Sequence, residues 1–127
     1  IMNYTPTTGW YYIDSTKRSP SWSGVEYLYN FLTNNNSVGP FAKELTKNET
    51  DIGDIVQLGN FEKFYHSLLV VDKSNNNIYV AAHNFDAYMR DLNSYVYERI
   101  RLILITEFQL IGVSPAHSFT KKAVQFY

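Results

Sequence analysis

The apolar positions change period partway along the chain, which separates a helical stretch from a strand-rich one. Val25, Leu28, Tyr29 and Leu32 recur three and four residues apart, the spacing of one helix face. Ser23 and Glu26 fit a capping box ahead of them, with Trp22 and Tyr27 as a hydrophobic staple. Asn34-Asn35-Asn36 fits a stop. Together these predict a helix over 24–34. Residues 1–22 read as an extended, aromatic-rich lead-in punctuated by Pro6 and Gly9. Val38-Gly39-Pro40-Phe41 reads as a turn, and 42–51 is polar and ambiguous. From Asp54 onward the pattern is that of strands, at 55–58, 66–71, 78–83 and 99–105. One α+β domain is expected, a main helix followed by a mostly antiparallel sheet.

The hairpin between 66 and 83 carries the sharpest geometric expectation. A symmetric turn over Asp72–Asn77 pairs Leu68 with Ala81, Val70 with Tyr79 and His66 with His83. Side chains alternate across a strand, so both imidazoles then lie side by side on one face. Adjacent imidazoles can work as a general base and its orienting partner. They can also ligate a metal with a carboxylate such as Asp86, or face each other with no role. Spacing alone leaves these readings open. A one-residue slip would send the rings to opposite faces.

Other polar residues read more plainly. Ser67 adjoins His66 but points to the other face. Asp51 and Asp54 flank Gly53 and read as turn and capping residues. Glu98-Arg99-Ile100-Arg101 alternates as outward-facing salt bridges would. His117 lies in an unassigned stretch, 107–127, and reads as a surface residue; a short helix is expected near 121–124. Trp10, Tyr11 and Trp22 are candidates for a substrate-binding groove, although aromatic clusters more often belong to a core.

Composition narrows the function. The chain has 127 residues, enough for one core, with 45% hydrophobic and 18% charged residues. Its net charge of -1 supplies no field for nucleic acid or anionic membranes. No apolar run is long enough for a membrane helix, and no targeting signal is seen. Cysteine is absent, which excludes thiolate metal sites and any thiol nucleophile within these residues. No metal or other cofactor is expected.

The chain resembles the bacterial putative amidase domain, related to the CHAP and NlpC-type branches of the papain-like superfamily. The matching stretches begin with Met2-Asn3-Tyr4-Thr5-Pro6 and Gly9-Trp10-Tyr11-Tyr12. Ser19-Pro20-Ser21-Trp22-Ser23-Gly24-Val25-Glu26-Tyr27-Leu28 and Gly39-Pro40-Phe41 follow. Gly53-Asp54-Ile55-Val56-Gln57-Leu58, His66-Ser67-Leu68-Leu69-Val70-Val71, Ala82-His83 with Asp86, and Tyr97-Glu98-Arg99-Ile100-Arg101 complete the series.

The resemblance implies a papain-like fold and amide hydrolysis, with peptides or cell-wall peptides as substrates. It implies a Cys–His–polar triad, with His66 as the base and His83 as the residue orienting it. The family's cysteine lies in a Cys-Thr-Asn-Phe-Val-Ser-like stretch that would precede Met2. Residues 1–106 are therefore expected to be the C-terminal portion of such a domain, inactive alone, with its nucleophile outside this chain. An apolar sheet face is expected to be uncovered, available to a second chain or fragment. Family analogy implies an extracellular or cell-envelope location. The rival expectation is a non-catalytic module that binds glycan or peptide through Trp10, Tyr11 and Trp22.

Overall fold

The strand-rich stretch folds into one six-stranded antiparallel sheet preceded by two helices. The computed structural model describes residues 9–36, 39–82 and 87–109. The strands are β3 (Gly39–Leu45), β4 (Ile55–Gly59), β5 (Phe64–Ser74), β6 (Asn77–Ala82), β7 (Ala87–Asp91) and β8 (Arg99–Gln109), in the spatial order β3-β8-β4-β5-β6-β7. A small ribbon of β1 (Tyr12–Asp14) and β2 (Lys17–Arg18) comes first. A four-residue helix, α1 (Pro20–Ser23), then leads into the main helix, α2 (Val25–Asn34). The architecture is α+β, as the sequence predicts. No helix among the described residues is long and apolar enough to cross a membrane.

The sheet has an aliphatic cluster on each face. Ile55, Ile103 and Ile105 pack against Phe31 and Leu32 of α2. Val56, Leu58, Leu68, Val70, Val80 and Leu102 point the other way and gather with Ile78 and Leu92. Burying each such side chain is worth about 1.5–3 kcal/mol. On this second face Leu92, Tyr95 and Tyr97, from the segment after β7, pack against the cluster.

Several local expectations are corrected. Ser23 does not cap α2. Pro20 starts its own helical turn, Ser23 ends it, and extended Gly24 precedes α2 with no side-chain cap. The Glu26 carboxylate is used elsewhere. Trp22 packs on Trp10 and Tyr12, while Tyr27 is exposed. The stretch read as a turn at Gly39-Pro40-Phe41 begins strand β3. Proline is tolerated there because β3 pairs only with β8 and forms an edge of the sheet.

The hairpin register also differs. Its turn is Asn75-Asn76, both with left-handed φ (50° and 68°), so Ser74 faces Asn77. This is the twist that tight hairpins favour. An irregularity between Val70 and Asp72 shifts the ladder again, so Leu69 faces Ala81 and Val70 faces Val80. The expected Leu68–Ala81 and Val70–Tyr79 pairs do not form. His83 and Asp86, His117 and the helix expected at 121–124 lie outside the described residues.

Gly59 ends β4 where the ladder to β5 is irregular, between Leu58 and Gly59. A Cβ there would lie 2.5 Å from the Lys63 carbonyl oxygen and 2.8 Å from Phe64 Cα. Both obstacles are backbone, so neither can swing away. Gly59→Ala is expected to destabilise the fold by about 2 kcal/mol, read as a lower thermal midpoint by circular dichroism.

Candidate functional site

His66 sits near the start of β5, opposite Leu58 of β4, and so shares its face with Leu58, Leu68 and Val70. Its ring is half-buried and lies 6.0 Å from the Tyr95 ring, inclined at 50°. It has no hydrogen-bond partner among the described residues. Burial pushes the imidazole pKa below its usual value, and the positive charge of Arg90 acts in the same direction. The ring therefore favours its neutral form, in which one nitrogen offers a lone pair. A neutral imidazole at the rim of a core can accept a proton.

Ser67, the next residue, turns to the opposite face as the alternation requires. There it joins a polar row across β5, β4 and β8, formed by Ser67, Gln57 and Arg101. Gln57 is wholly buried. Its Nε2 donates to Ser67 Oγ at 2.9 Å and to the Val25 carbonyl at 3.1 Å. Arg101 Nε donates to Gln57 Oε1 at 2.7 Å, and Arg101 Nη2 lies 3.4 Å from Glu26 Oε2. Glu26 Oε1 accepts from the Phe64 N–H at 3.1 Å. The guanidinium lies between aromatic rings, 3.6 Å from the Tyr29 centroid and 3.9 Å from that of Phe64.

This row satisfies a buried amide and ties the first turn of α2 to three strands. Unpaired, each buried group would cost about 1–3 kcal/mol. Arg101 thus points inward, not outward as the sequence reading has it. Glu98 and Arg99 are also engaged: Glu98 Oε2 accepts from the Phe61 N–H at 2.9 Å, and the Arg99 guanidinium lies 4.5 Å from the Phe64 centroid.

The aromatic residues form a third group. Trp10 lies 5.2 Å from Trp22 and stacks on Phe31 at 5.9 Å, and Tyr12 lies 5.5 Å from Trp22. Trp10 packs on the cluster built by α2. The Tyr11 N–H donates to the buried Ser19 Oγ at 3.0 Å. These residues belong to the α2 side of the sheet. His66 belongs to the other side, so the two groups do not meet. Asp51 and Asp54 do turn duty: Asp54 Oδ2 accepts from the Asp51 N–H, and Asp51 Oδ1 from that of Ile52, both at 2.8 Å.

The sequence reading overlooked Gln57 and Arg90. Gln57 carried a weak signal, a long polar side chain inside the apolar run Ile55–Leu58. Among the described residues no group of three His, Cys, Asp or Glu side chains is placed to hold a metal ion. No curated protein and no solved structure matches the chain. A family model described as a putative amidase domain matches residues 1–105, and on that match, which spans most of the 127 residues, the chain belongs to the putative amidase domain family.

Proposed function

We propose that this chain supplies the histidine side of a cysteine-dependent amidase site on a papain-like scaffold. His66 is the general base and His83 the residue that orients it. Family membership supports amide hydrolysis as the reaction class. The observation that carries the role of His66 is its half-buried ring, held toward the neutral form and with no hydrogen-bond partner among the described residues. The sequence contains no cysteine, so the thiol comes from outside these residues.

In this mechanism a ring nitrogen of His66 takes the thiol proton, and the thiolate sulfur bonds to the amide carbonyl carbon. The imidazolium returns the proton to the departing amine as the C–N bond breaks. His66 next draws a proton from water, whose oxygen attacks the thioester and releases the acid and the thiol. Peptide or cell-wall peptide amides are the proposed substrates, at an extracellular or cell-envelope site.

A direct test assays the purified 127-residue chain on peptide amides, with and without a thiol reagent. No hydrolysis above background is expected. Thiol-independent turnover that disappears in His66→Ala would overturn the proposal, since it would place a complete site within this chain.

A further inference from the structure

The face that carries His66 also carries a cation with no counter-charge among the described residues. Arg90 on β7 faces Val80 on β6, and Val80 belongs to the same apolar cluster as Leu68 and Val70. Register therefore sets Arg90 on the His66 side of the sheet. Its guanidinium is held in place rather than left to wave in solvent. Nε donates to Ser94 Oγ at 2.8 Å and Nη2 to the Ser94 carbonyl at 3.3 Å. The carbon of the fork lies 3.8 Å above the Tyr95 ring, the same ring that borders His66 at 6.0 Å.

Ser94 is itself fixed, because its hydroxyl donates to the Asp91 carbonyl at 2.7 Å. The backbone just before Arg90 adds a second sign of a built arrangement. Met89 has a left-handed φ of 56°, which side chains other than glycine and asparagine rarely adopt. Such strain costs about 1–3 kcal/mol and persists where the surrounding structure enforces it. Here the bulged ladder between β6 and β7 enforces it. An ordered guanidinium that is exposed, stacked on one face and without a carboxylate partner among the described residues is pre-organised for one, and little entropy remains to be lost on pairing.

We propose that Arg90, braced by Ser94 and Tyr95, is the recognition residue for a carboxylate on the substrate, held beside His66. The inference rests on the reading of His66 as the base and deepens it. The preferred substrate is an amide flanked by a carboxylate, from either an acidic side chain or a peptide C-terminus. The carboxylate pairs with the free edge of the guanidinium while the scissile amide lies toward the imidazole. Arg90 touches substrate in this arrangement but takes no part in proton transfer.

The test is binding to this chain, followed by NMR through the Arg90 Nε–H and Tyr95 amide signals. Three probes separate the sources of the carboxylate: N-acetyl-Ala-Ala as the free acid, N-acetyl-Glu-Ala amide, and the neutral N-acetyl-Gln-Ala amide. At least one acid probe is expected to give saturable shifts, with the neutral probe at least tenfold weaker. Which acid binds names the source. Arg90→Met is expected to weaken that acid at least tenfold at the Tyr95 signal, and Arg90→Lys to weaken it less. Ser67→Ala, on the opposite face of the sheet, is expected to leave it unchanged; the readout is binding alone, so its failure is distinguishable from failure of His66 as the base. Equal response to the acid and neutral probes, no response to either acid, or full binding in Arg90→Met would each overturn the proposal.

Discussion

Replacing His66 with alanine in a cysteine-bearing form of the protein is expected to lower kcat/KM on an amide substrate by about 10³-fold, the range general-base catalysis supplies. Ser67→Ala, one residue along β5, is expected to cost less than about tenfold. The contrast follows from strand alternation. His66 faces Leu58 and Tyr95 on one side of the sheet, and the Ser67 hydroxyl oxygen accepts from Gln57 Nε2 on the other. Removing a half-buried ring at the rim should leave the fold intact, which a melting curve checks alongside the kinetics. Equal losses at the two positions would show that the effect is structural, not chemical.

Arg101→Met is expected to be the most damaging single change to stability, at about 3 kcal/mol, or a thermal midpoint lower by about 10 °C. Methionine restores much of the volume between Tyr29 and Phe64, so the loss is chiefly polar. Gln57 Oε1 would lose its donor inside a residue with no solvent access, and Glu26 would lose its cation. The Arg101 side chain is 11% exposed and Glu26 44%, so the ion pair is partly screened by water. The burial of Gln57 therefore dominates the cost. A thermodynamic cycle with Gln57→Leu separates these parts. The double variant is expected to be more stable than the sum of the single losses, because it leaves no orphaned amide. Additive losses would mean that the two side chains do not act as a unit.

What the sequence revealed of the fold depended on whether the signal was local. The helix face at Leu28 and Leu32, the apolar strands of β4, β5, β6 and β8, and the opposed directions of His66 and Ser67 all follow from short-range periodicity. The misreadings came where tertiary context decides. Proline and glycine at Gly39-Pro40 signal a turn in isolation, yet an edge strand accepts them because its outer N–H needs no partner. A one-residue irregularity at Val71 costs little and leaves no mark in composition, but it resets the pairs on which the His66–His83 expectation was built. Strand β7, Ala87–Asp91, has no clean alternation and contains the left-handed Met89, so nothing in its pattern announces a strand.

Charge was read least well. Alternation at Glu98–Arg101 fixes which residues share a face, but not which face is covered. Only the packing of α2 turns Arg101 inward. Of the site, the resemblance pointed to His66, while Arg90 and Gln57 acquire meaning only when β7 and α2 are placed against the sheet.

The ionisation of His66 tests the central claim most directly, because a base must hold its lone pair at working pH. Burial lowers the folded pKa below the unfolded value of about 6.5. Between those two values the unfolded chain binds more protons, so stability is full above about 6.5 and falls as the pH drops toward the folded pKa. A pH titration of the imidazole nitrogens by NMR on this chain reads the equilibrium itself. The expected result is a neutral ring at pH 7 with a midpoint below 6.5, and no such depression in a peptide spanning residues 64–69. A midpoint at or above the peptide's would contradict the account, since the fold would then favour the imidazolium and leave no base at this position.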